Sequence, residues 1–299
     1  MKDAVSAVES PMPVPRWRSL LFVPAHVPRF VEKAHERGAD GIILDLEDSV
    51  PEDQKDESRR ELSASVAKVG RKGAFVLVRV NRGLRALAAD LDAAVMAGVD
   101  ALVLPKTDSP EWVAEIASAV TELERERNLA PGRIRFLAQI ETPAALQNLS
   151  AIASADPRMV AMALGPEDFS ASVGGAPGRD LLLTPNLSVL FAARAAGLLP
   201  LGFVGSIGEF SDNDKIREAA AHARRLGFVG ALAIHPTQVA IFNEAFAPSE
   251  QELEWARHVL AAEKEAAAQG RGAFALDGKM VDAPVIRRAR EIIAIGPKA

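Results

Sequence analysis

Two carboxylates near the ends of apolar runs have the type and spacing of a divalent-metal site. Glu141 lies near the end of "RFLAQIET" (135–142), and Asp168 ends "MVAMALGPED" (159–168), 27 residues further along the chain. That separation fits one strand–helix unit, and neighbouring parallel strands would bring both carboxylates to one edge of a sheet. Oxygen ligands in a chain without cysteine favour Mg²⁺ over Zn²⁺. Taken alone, the same residues fit a helix cap at Glu141 and a loop start at Asp168 equally well.

Composition places the chain among ordinary globular proteins and excludes several function classes. Of 299 residues, 48% are hydrophobic and 25% are charged, which is enough apolar material for a substantial core. The 35 basic and 40 acidic residues give a net charge of −5, so neither a nucleic-acid surface nor a polybasic membrane segment is predicted. The absence of cysteine excludes disulfides and thiolate chemistry and fits a cytoplasmic location. Residues 1–16 lack the apolar centre of a signal peptide and are predicted to be a disordered leader.

Eight short apolar runs, each followed by an amphipathic helical pattern, supply the elements that would position the carboxylates. Near-continuous apolar strands that alternate with helices are typical of parallel βα units covered on both faces. Eight such units within residues 17–247 predict an α/β fold of the (β/α)8 TIM-barrel type. An open doubly wound sheet is the alternative; it usually has fewer strands, and no Gly-x-Gly-x-x-Gly motif follows the first run. The runs are 19–25, 41–48, 74–81, 101–107, 135–142, 159–168, 200–205 and 231–236.

The pattern changes in residues 248–299, which are predicted to form a C-terminal helical arm. A capped helix at 248–270, a hairpin-like piece at 272–284 and a last helix at 284–294 follow one another. The barrel leaves no sheet position for this arm, and about 50 residues are not expected to bury a core of their own. We therefore expect the arm to pack on the barrel or, by preference, on a neighbouring subunit of a homo-oligomer.

Polar side chains end six of the eight predicted strands, most of them with the parity of inward-facing residues. In a TIM barrel the catalytic groups lie at the carboxyl ends of the strands, and alternate strand residues point into the barrel. Because inward positions are costly places for charge, this clustering favours a functional site. The residues are Asp45, Glu47, Arg79, Asn81, Lys106, Gln139, Glu141, Asp168 and His235.

Three polar residues near this predicted rim have competing interpretations. Asp48 has the opposite parity and fits a cap of the following helix. His235 precedes a proline, and a hydrogen-bonded barrel residue is the favoured interpretation. Lys106 fits either an inward lysine paired with Glu47 or Asp45, or a Schiff-base nucleophile.

Several motifs, taken in their order along the chain, carry a family resemblance. They resemble the citrate lyase beta-subunit-like family of the HpcH/HpaI aldolase/citrate lyase superfamily, which includes malyl-CoA, methylmalyl-CoA and citramalyl-CoA lyases. The resemblance covers almost the whole folded chain and implies a TIM barrel that uses Mg²⁺ or Mn²⁺ and acts on CoA thioesters. The motifs are "RSLLFVPA", "GIILDLEDSVPEDQK", "VLVRVN", "LVLPKT", "AQIETPAAL", "ALGPEDFSASVG", "AIHPTQVAIFNEAF" and "DGKMVDAPVI".

The resemblance also implies roles for the acidic residues and the arginine of the rim. Glu141 and Asp168 are expected to hold the metal. Arg79 is expected to contact the carboxylate or the thioester oxygen of the substrate. Glu47 is expected to lie behind the metal ligands or to orient water on the metal. Asp282 is expected to enter the site of a neighbouring subunit as the acid/base, which implies a trimeric or hexameric homo-oligomer with shared active sites.

Three basic residues near the start of the barrel are, by the same resemblance, expected to contact the phosphates of CoA. Arg18 precedes the first predicted strand, and Arg29 and Lys33 lie on the first predicted helix. No partner other than this thioester substrate and other copies of the chain is expected.

The reaction implied by the resemblance is carbon–carbon cleavage or formation. A short 3-hydroxyacyl-CoA such as malyl-CoA, citramalyl-CoA or citryl-CoA would give an acyl-CoA and a keto acid. A thioesterase with the same metal site, and a citrate lyase beta-type subunit that needs partner subunits, are the alternatives. Several better-known members carry an aspartate early in the seventh strand, where this chain has Leu201 and Gly202. This departure bears on the substrate more than on the metal.

Overall fold

Eight parallel strands form the centre of the molecule, for which a computed structural model describes residues 15–208, 211–268, 270 and 272–296. The strands are β1 (Ser19–Pro24), β2 (Gly41–Asp45), β3 (Phe75–Arg79), β4 (Ala101–Leu104), β5 (Arg135–Ile140), β6 (Met159–Leu164), β7 (Leu199–Leu201) and β8 (Ala231–Ala233). Each of β1 to β7 pairs in parallel with its neighbour in chain order, and β1 also pairs with β8. A single described bridge, from Leu201 to Gly230, joins β7 to the start of β8 and closes the circle.

Helices cover the outside of the barrel and confirm the predicted eightfold alternation of strands and helices. Short 3₁₀ helices at Glu52–Gln54 and Gly70–Lys72 add to the second unit. Within the described residues, no helix is both long and apolar enough to cross a membrane. The helices of the barrel are α1 (Pro28–Ala34), α2 (Lys55–Arg60), α3 (Leu62–Val69), α4 (Leu84–Ala94), α5 (Pro110–Glu126), α6 (Pro143–Gln147), α7 (Leu149–Ala153), α8 (Pro166–Ser172), α9 (Arg179–Ala195), α10 (Asn213–Leu226) and α11 (Pro236–Ala245).

Alternation along the strands produces two apolar layers. In β2, Ile42 and Leu44 pack with the helices, whereas Ile43 packs inside the barrel. Asp45 continues the inward parity of Ile43, so the pleat itself directs this carboxylate into the mouth of the barrel. The inner layer contains mainly aliphatic residues from alternate strand positions, among them Leu20, Leu77, Val103, Leu137, Ala161, Leu201 and Leu232.

The starts of two helices fix the loops that carry the predicted metal ligands. Pro143 and Pro166 lie in the first turns of α6 and α8, where the missing N–H is not needed and the fixed φ angle favours the helix. The hydroxyl of Thr142 caps α6 by accepting a hydrogen bond from the Ala145 N–H at 3.1 Å. The capping role therefore belongs to Thr142, and Glu141 is left between strand and cap. Asp168 lies in the first turn of α8 rather than in a loop.

The C-terminal arm has a core of its own, so the expectation that it would not was wrong. The arm consists of α12 (Glu250–Ala268), the antiparallel hairpin of β9 (Phe274–Leu276) and β10 (Lys279–Val281), and α13 (Ala283–Ile295). The two helices pack against each other, and the hairpin covers part of the seam between them. The core of the arm consists of Leu253, Ala256, Val259, Val281, Ile286, Ala289 and Ile292.

Contacts from the arm to other parts of the molecule are few. An ion pair of 2.6 Å between Glu252 and Arg224 of α10 connects the arm to the barrel. Met280 remains 77% exposed on the hairpin. Of the predicted leader, residues 1–16, the first 14 lie outside the described residues.

Candidate active site

Arg79 holds two carboxylates together at the carboxyl ends of β2 and β3. Asp45 and Arg79 are register partners at the ends of these strands. The guanidinium donates to both oxygens of Asp45 at 2.7 Å, and its Nη1 lies 2.9 Å from Glu47 Oε2. Burial by itself would raise the pKa of Asp45, but the hydrogen bonds and charge of Arg79 outweigh it and lower that pKa. The structure therefore brings together three of the predicted rim residues in one ion-paired cluster.

Lys106 connects this cluster to Glu141 through an unusual backbone conformation. Its φ angle is 48°, in the left-handed region that a lysine rarely adopts. In this conformation the Lys106 N–H donates to Glu141 Oε2 at 3.0 Å, while Nζ donates to Glu47 Oε1 at 2.7 Å and to Asp48 Oδ2 at 3.3 Å. Burial lowers the pKa of the Lys106 amine, but these carboxylates outweigh it and raise that pKa above its ordinary value. The geometry supports the ion-pair interpretation, since a Schiff-base nucleophile needs a neutral amine.

Glu141 and Asp168 form an electrostatically coupled pair. The Glu141 side chain is 2% exposed and packs against Gly165, where a Cβ atom would lie only 2.7 Å from Glu141 Oε1. Burial, then the negative charges of Asp168 and Glu47, raise the pKa of Glu141 to about 8. The charges of Lys106 and Arg79 lower this pKa only in part. A buried carboxylate that keeps a raised pKa beside a second carboxylate is a setting in which a bound cation is favourable.

The pair fits Mg²⁺ better than a metal that needs a full protein cage. Among the residues described, no group of three or more His, Cys, Asp or Glu is arranged to hold a metal ion. Mg²⁺ typically takes one or two protein carboxylates and fills its other positions with water and substrate oxygens. Glu141 and Asp168 would supply that number of ligands, and their hard oxygen atoms suit the ion.

We expect the affinity for Mg²⁺ to rise with pH and to level off above about pH 8. The raised pKa of Glu141 means that the metal-free protein keeps a proton there at neutral pH, and metal binding must displace it. The association constant should therefore increase about tenfold per pH unit between roughly pH 6 and 7.5. Isothermal titration calorimetry in buffers of different ionisation enthalpy measures both the affinity and the released proton. Equal affinities at pH 6 and pH 8 would contradict the assignment of Glu141.

A cavity of about 220 Å³ opens at the mouth of the barrel between a polar and an apolar side. The polar side includes Asp45, Arg79, Gln139 and Asp168. Gln139 is only 4% exposed, and its Oε1 has no hydrogen-bond partner. Buried amide oxygens seldom lack a partner, so this atom is available to a ligand. The apolar side is formed by Phe22, Pro24, Leu164, Phe203, Ile207, Leu232 and Ile234.

A buried lysine that we did not single out from the sequence supports the loop carrying Glu47. Lys55 Nζ donates to the backbone oxygens of Leu46 and Glu47 at 3.1 Å each and to Asn81 Oδ1 at 2.5 Å. Asn81 in turn donates through Nδ2 to Asp90 at 2.7 Å. Lys55 lies in the quoted motif "DLEDSVPEDQK", but nothing in its position predicts that its side chain turns back to the strand end.

The other predicted site residues lie apart from this cavity. The Arg18 guanidinium donates to Asp40 at 2.6 and 2.8 Å at the amino end of β1, a strand that separates it from the rim by about 20 Å. Arg29 and Lys33 are exposed on α1, which starts at the rim. Asp282 lies in the arm at the start of α13 and does not line the described cavity.

His235 caps α11 and matches the interpretation favoured from the sequence. The ring nitrogen Nδ1 of His235 accepts a hydrogen bond from the backbone N–H of Thr237 at 3.3 Å. The backbone N–H of His235 donates to Gln238 Oε1 at 3.1 Å. These contacts give the histidine after β8 a structural role as the cap of α11.

Comparison with known proteins shows that the whole chain has relatives. The family model described as HpcH/HpaI aldolase/citrate lyase matches residues 18–236. Citrate lyase subunit beta of Escherichia coli strain K12 is 35% identical over 284 residues, which cover 93% of this chain and 92% of that protein. The L-malyl-CoA/beta-methylmalyl-CoA lyase of Rhodobacter capsulatus is 33% identical over 312 residues, which cover 95% of this chain and 96% of that protein.

A solved structure shares the fold over nearly the same extent. Protein CitE from Mycobacterium tuberculosis, in complex with magnesium, acetoacetate and coenzyme A, superposes with a TM-score of 0.73 at 33% identity. The match covers 94% of this chain and 98% of that protein. The resemblance carried by the sequence motifs is confirmed, and the chain belongs to the HpcH/HpaI aldolase/citrate lyase family.

Proposed function

We propose that the protein is a metal-dependent carbon–carbon lyase that cleaves or forms a short 3-hydroxyacyl-CoA. The proposal rests on one observation, the coupled carboxylates Glu141 and Asp168, of which Asp168 lines a cavity together with Arg79. The cavity volume of about 220 Å³ suits a short acyl group, so the nucleotide of CoA would lie outside it. Relatives named as a malyl-CoA lyase and a citrate lyase subunit support the reaction class, and a related structure contains magnesium and coenzyme A.

Each group of the proposed site has a separate role in the cleavage of the substrate. Bound Mg²⁺, with Glu141 and Asp168 as ligands, would supply Lewis-acid stabilisation to the hydroxyl and carboxylate oxygens of the substrate. The hydroxyl passes its proton to a water molecule that Glu47 would orient, and it becomes a carbonyl as the carbon–carbon bond breaks. The electron pair of that bond passes to the α-carbon of the departing acyl-CoA, and Arg79 offsets the charge of the enolate. A proton delivered to this carbon completes the acyl-CoA, and the reverse sequence is a condensation.

Glu47 and the basic residues of α1 complete the proposed site. Ion pairs with Arg79 and Lys106 hold the Glu47 carboxylate at the rim, where it would orient water or substrate. Arg29 and Lys33 are proposed to contact CoA phosphates from the exposed side of α1. Arg18 is left out of the proposed site because its position at the opposite end of β1 places it against Asp40.

An assay of the purified chain with malyl-CoA and citramalyl-CoA tests the proposal. Formation of a keto acid together with an acyl-CoA supports the lyase. Release of free thiol without a keto acid would instead indicate a thioesterase that uses the same carboxylates. Turnover that appears only after partner subunits are added would indicate a component of a multienzyme citrate lyase.

We expect Arg79→Lys to lower turnover at least tenfold, which corresponds to about 1.4 kcal/mol of transition-state stabilisation. Lysine keeps the positive charge but cannot bond both oxygens of Asp45 while also reaching Glu47. Steady-state kinetics with thermal melting separates the two roles of the side chain. A lower melting temperature with unchanged turnover would reduce Arg79 to a structural ion pair.

Asp282 is proposed to act in the active site of a neighbouring subunit within a cytoplasmic homo-oligomer. Its side chain accepts no capping hydrogen bond although it occupies the cap position of α13, and the arm contacts its own barrel at few points. Mixing the inactive variants Asp282→Ala and Asp168→Ala with subunit exchange should restore activity, because a mixed pair contains one complete site. If native mass spectrometry shows exchange and the mixture stays inactive, Asp282 acts within its own chain or not at all.

A further inference from the structure

The apolar side of the cavity indicates what kind of group the substrate places there. Leu232 of β8, Ile234 directly after this strand, and Phe203 and Ile207 after β7 lie on this side. Phe22 of β1 packs instead on Arg79, whose guanidinium lies 4.8 Å from the centre of its ring. Leu232 and Ile234 are two residues apart and share the inward parity of the strand. Leu232, Ile234, Phe203 and Ile207 form the part of the apolar lining that we call the β8 wall.

Charge in the cavity favours an uncharged group against this wall. Arg79 is the one cationic residue among those described that line the cavity, and the proposed cleavage uses its charge for the enolate. The remaining ionisable residues of the lining, Asp45, Glu167 and Asp168, are acidic. A second free carboxylate of the substrate would therefore lose water without gaining a cation, which is unfavourable in a site of this kind.

We infer that the hydroxyl-bearing carbon of the substrate carries a hydrogen or a short alkyl group, and no second free carboxylate beside the chelated one. The inference rests on the proposed lyase activity and narrows its substrate class. Cleavage then yields a 2-oxo monocarboxylate such as glyoxylate or pyruvate. A substrate with a carboxymethyl group at that carbon, such as citryl-CoA, would yield a dicarboxylate and is disfavoured by the β8 wall.

Binding of two nearly isosteric acids tests the inference without turnover. 2-Ethylmalate and citrate differ only in a methyl group and a carboxylate at the end of one branch. With Mg²⁺ in excess, calorimetric titration of the wild-type protein should show at least tenfold tighter binding of 2-ethylmalate. Equal or tighter binding of citrate would overturn the inference, whatever reaction the protein catalyses.

Substitution of Ile234 tests whether the β8 wall sets this preference. Ile234 is 41% exposed at the outer edge of the wall, so a longer side chain there has room to reach solvent. Ile234→Arg should strengthen citrate binding at least tenfold relative to 2-ethylmalate, whereas Ile234→Met should keep the wild-type preference. If neither variant changes the ratio, the preference does not come from this wall and that part of the inference is wrong.

A parallel assay separates this inference from the proposed function. Citramalyl-CoA should be cleaved at least tenfold more efficiently than citryl-CoA. If neither thioester is cleaved but 2-ethylmalate binds more tightly than citrate, the proposed lyase activity is refuted. The inference that the substrate carries an uncharged group at its hydroxyl-bearing carbon is then supported. Efficient cleavage of citryl-CoA would support the lyase and overturn the inference.

Discussion

Glu141→Gln and Asp168→Asn are each expected to weaken Mg²⁺ binding and turnover by about a hundredfold or more, because each removes one of two protein ligands. The fold should survive. Glu141 makes one described hydrogen bond, to the Lys106 N–H, and a glutamine oxygen can accept it. Equilibrium dialysis with Mg²⁺ and steady-state kinetics measure the two losses.

The pKa of Glu141 fixes the sign of the accompanying effect on stability. The unfolded chain releases this proton near pH 4.5, whereas the metal-free folded protein keeps it up to about pH 8. The folded state therefore binds more protons in this window, and the metal-free wild type loses stability as pH rises from about 4.5 to 8. Glu141→Gln removes that loss, so without metal it should melt at a higher temperature than wild type at pH 9.

An exposed carboxylate provides the matched control for the metal experiment. Asp92→Asn on α4 removes one negative charge at the surface, where Asp92 pairs with Arg127 at 3.3 Å. This variant should bind Mg²⁺ and turn over as the wild type does. Full activity of the wild-type protein after treatment with EDTA would refute metal dependence.

Arg158→Met is expected to lower the free energy of unfolding by about 3–5 kcal/mol, because it leaves a buried carboxylate unpaired. The Arg158 guanidinium donates to both oxygens of Glu124 at 2.7 and 3.0 Å, and Glu124 is fully buried. The N–H groups of Gly132 and Ile134 donate to the same carboxylate at 2.8 Å. The pair thus fastens α5 to the segment before β6, and the two backbone donors tie the same carboxylate to the segment before β5. Chemical denaturation measures the loss of the pair.

The pH dependence and two further variants show whether this effect belongs to the pair. Burial would raise the pKa of Glu124, but Arg158 and the backbone donors outweigh it and lower that pKa. Stability from the pair is therefore present above the ordinary glutamate pKa and disappears as pH falls through the lowered value. Glu124→Leu combined with Arg158→Met should recover most of the loss. The exposed pair Arg217–Asp214 serves as the control, since Arg217→Met should change stability by less than about 0.5 kcal/mol.

Periodicity in the sequence was sufficient to predict the barrel and much of its rim. The alternation that buries Ile43 inside the barrel also directs Asp45 inward, and Arg79 follows from the same rule in β3. These contacts depend on strand register, which a strong apolar pattern specifies. The assignment of Glu141 and Asp168 as metal ligands remains a prediction for the experiments above.

Contacts made by long side chains and by unusual backbone could not be predicted in this way. Lys106 adopts a left-handed conformation that glycine usually occupies, so its residue type does not predict it. The Lys55 side chain reaches back to the end of β2, and this contact depends on tertiary packing. Arg18 was assigned to CoA by the family resemblance, although its position before the first predicted strand already placed it at the end of the barrel opposite the rim. The core of the arm was missed because helix and hairpin patterns do not reveal which faces meet.

The closure of the barrel has a consequence for how the site moves. Five residue pairs join β2 to β3, whereas three join β6 to β7 and one described bridge joins β7 to β8. Segments with few ladder hydrogen bonds open at lower free energy, so amide protons around Gly202 and Leu232 should exchange with solvent before those of β2 and β3. The β8 wall can thus open locally while the carboxylates at the ends of β2 and β3 stay in place. A related chain could vary the β8 wall, and with it the acids it accepts, without disturbing the ion pairs at the ends of β2 and β3.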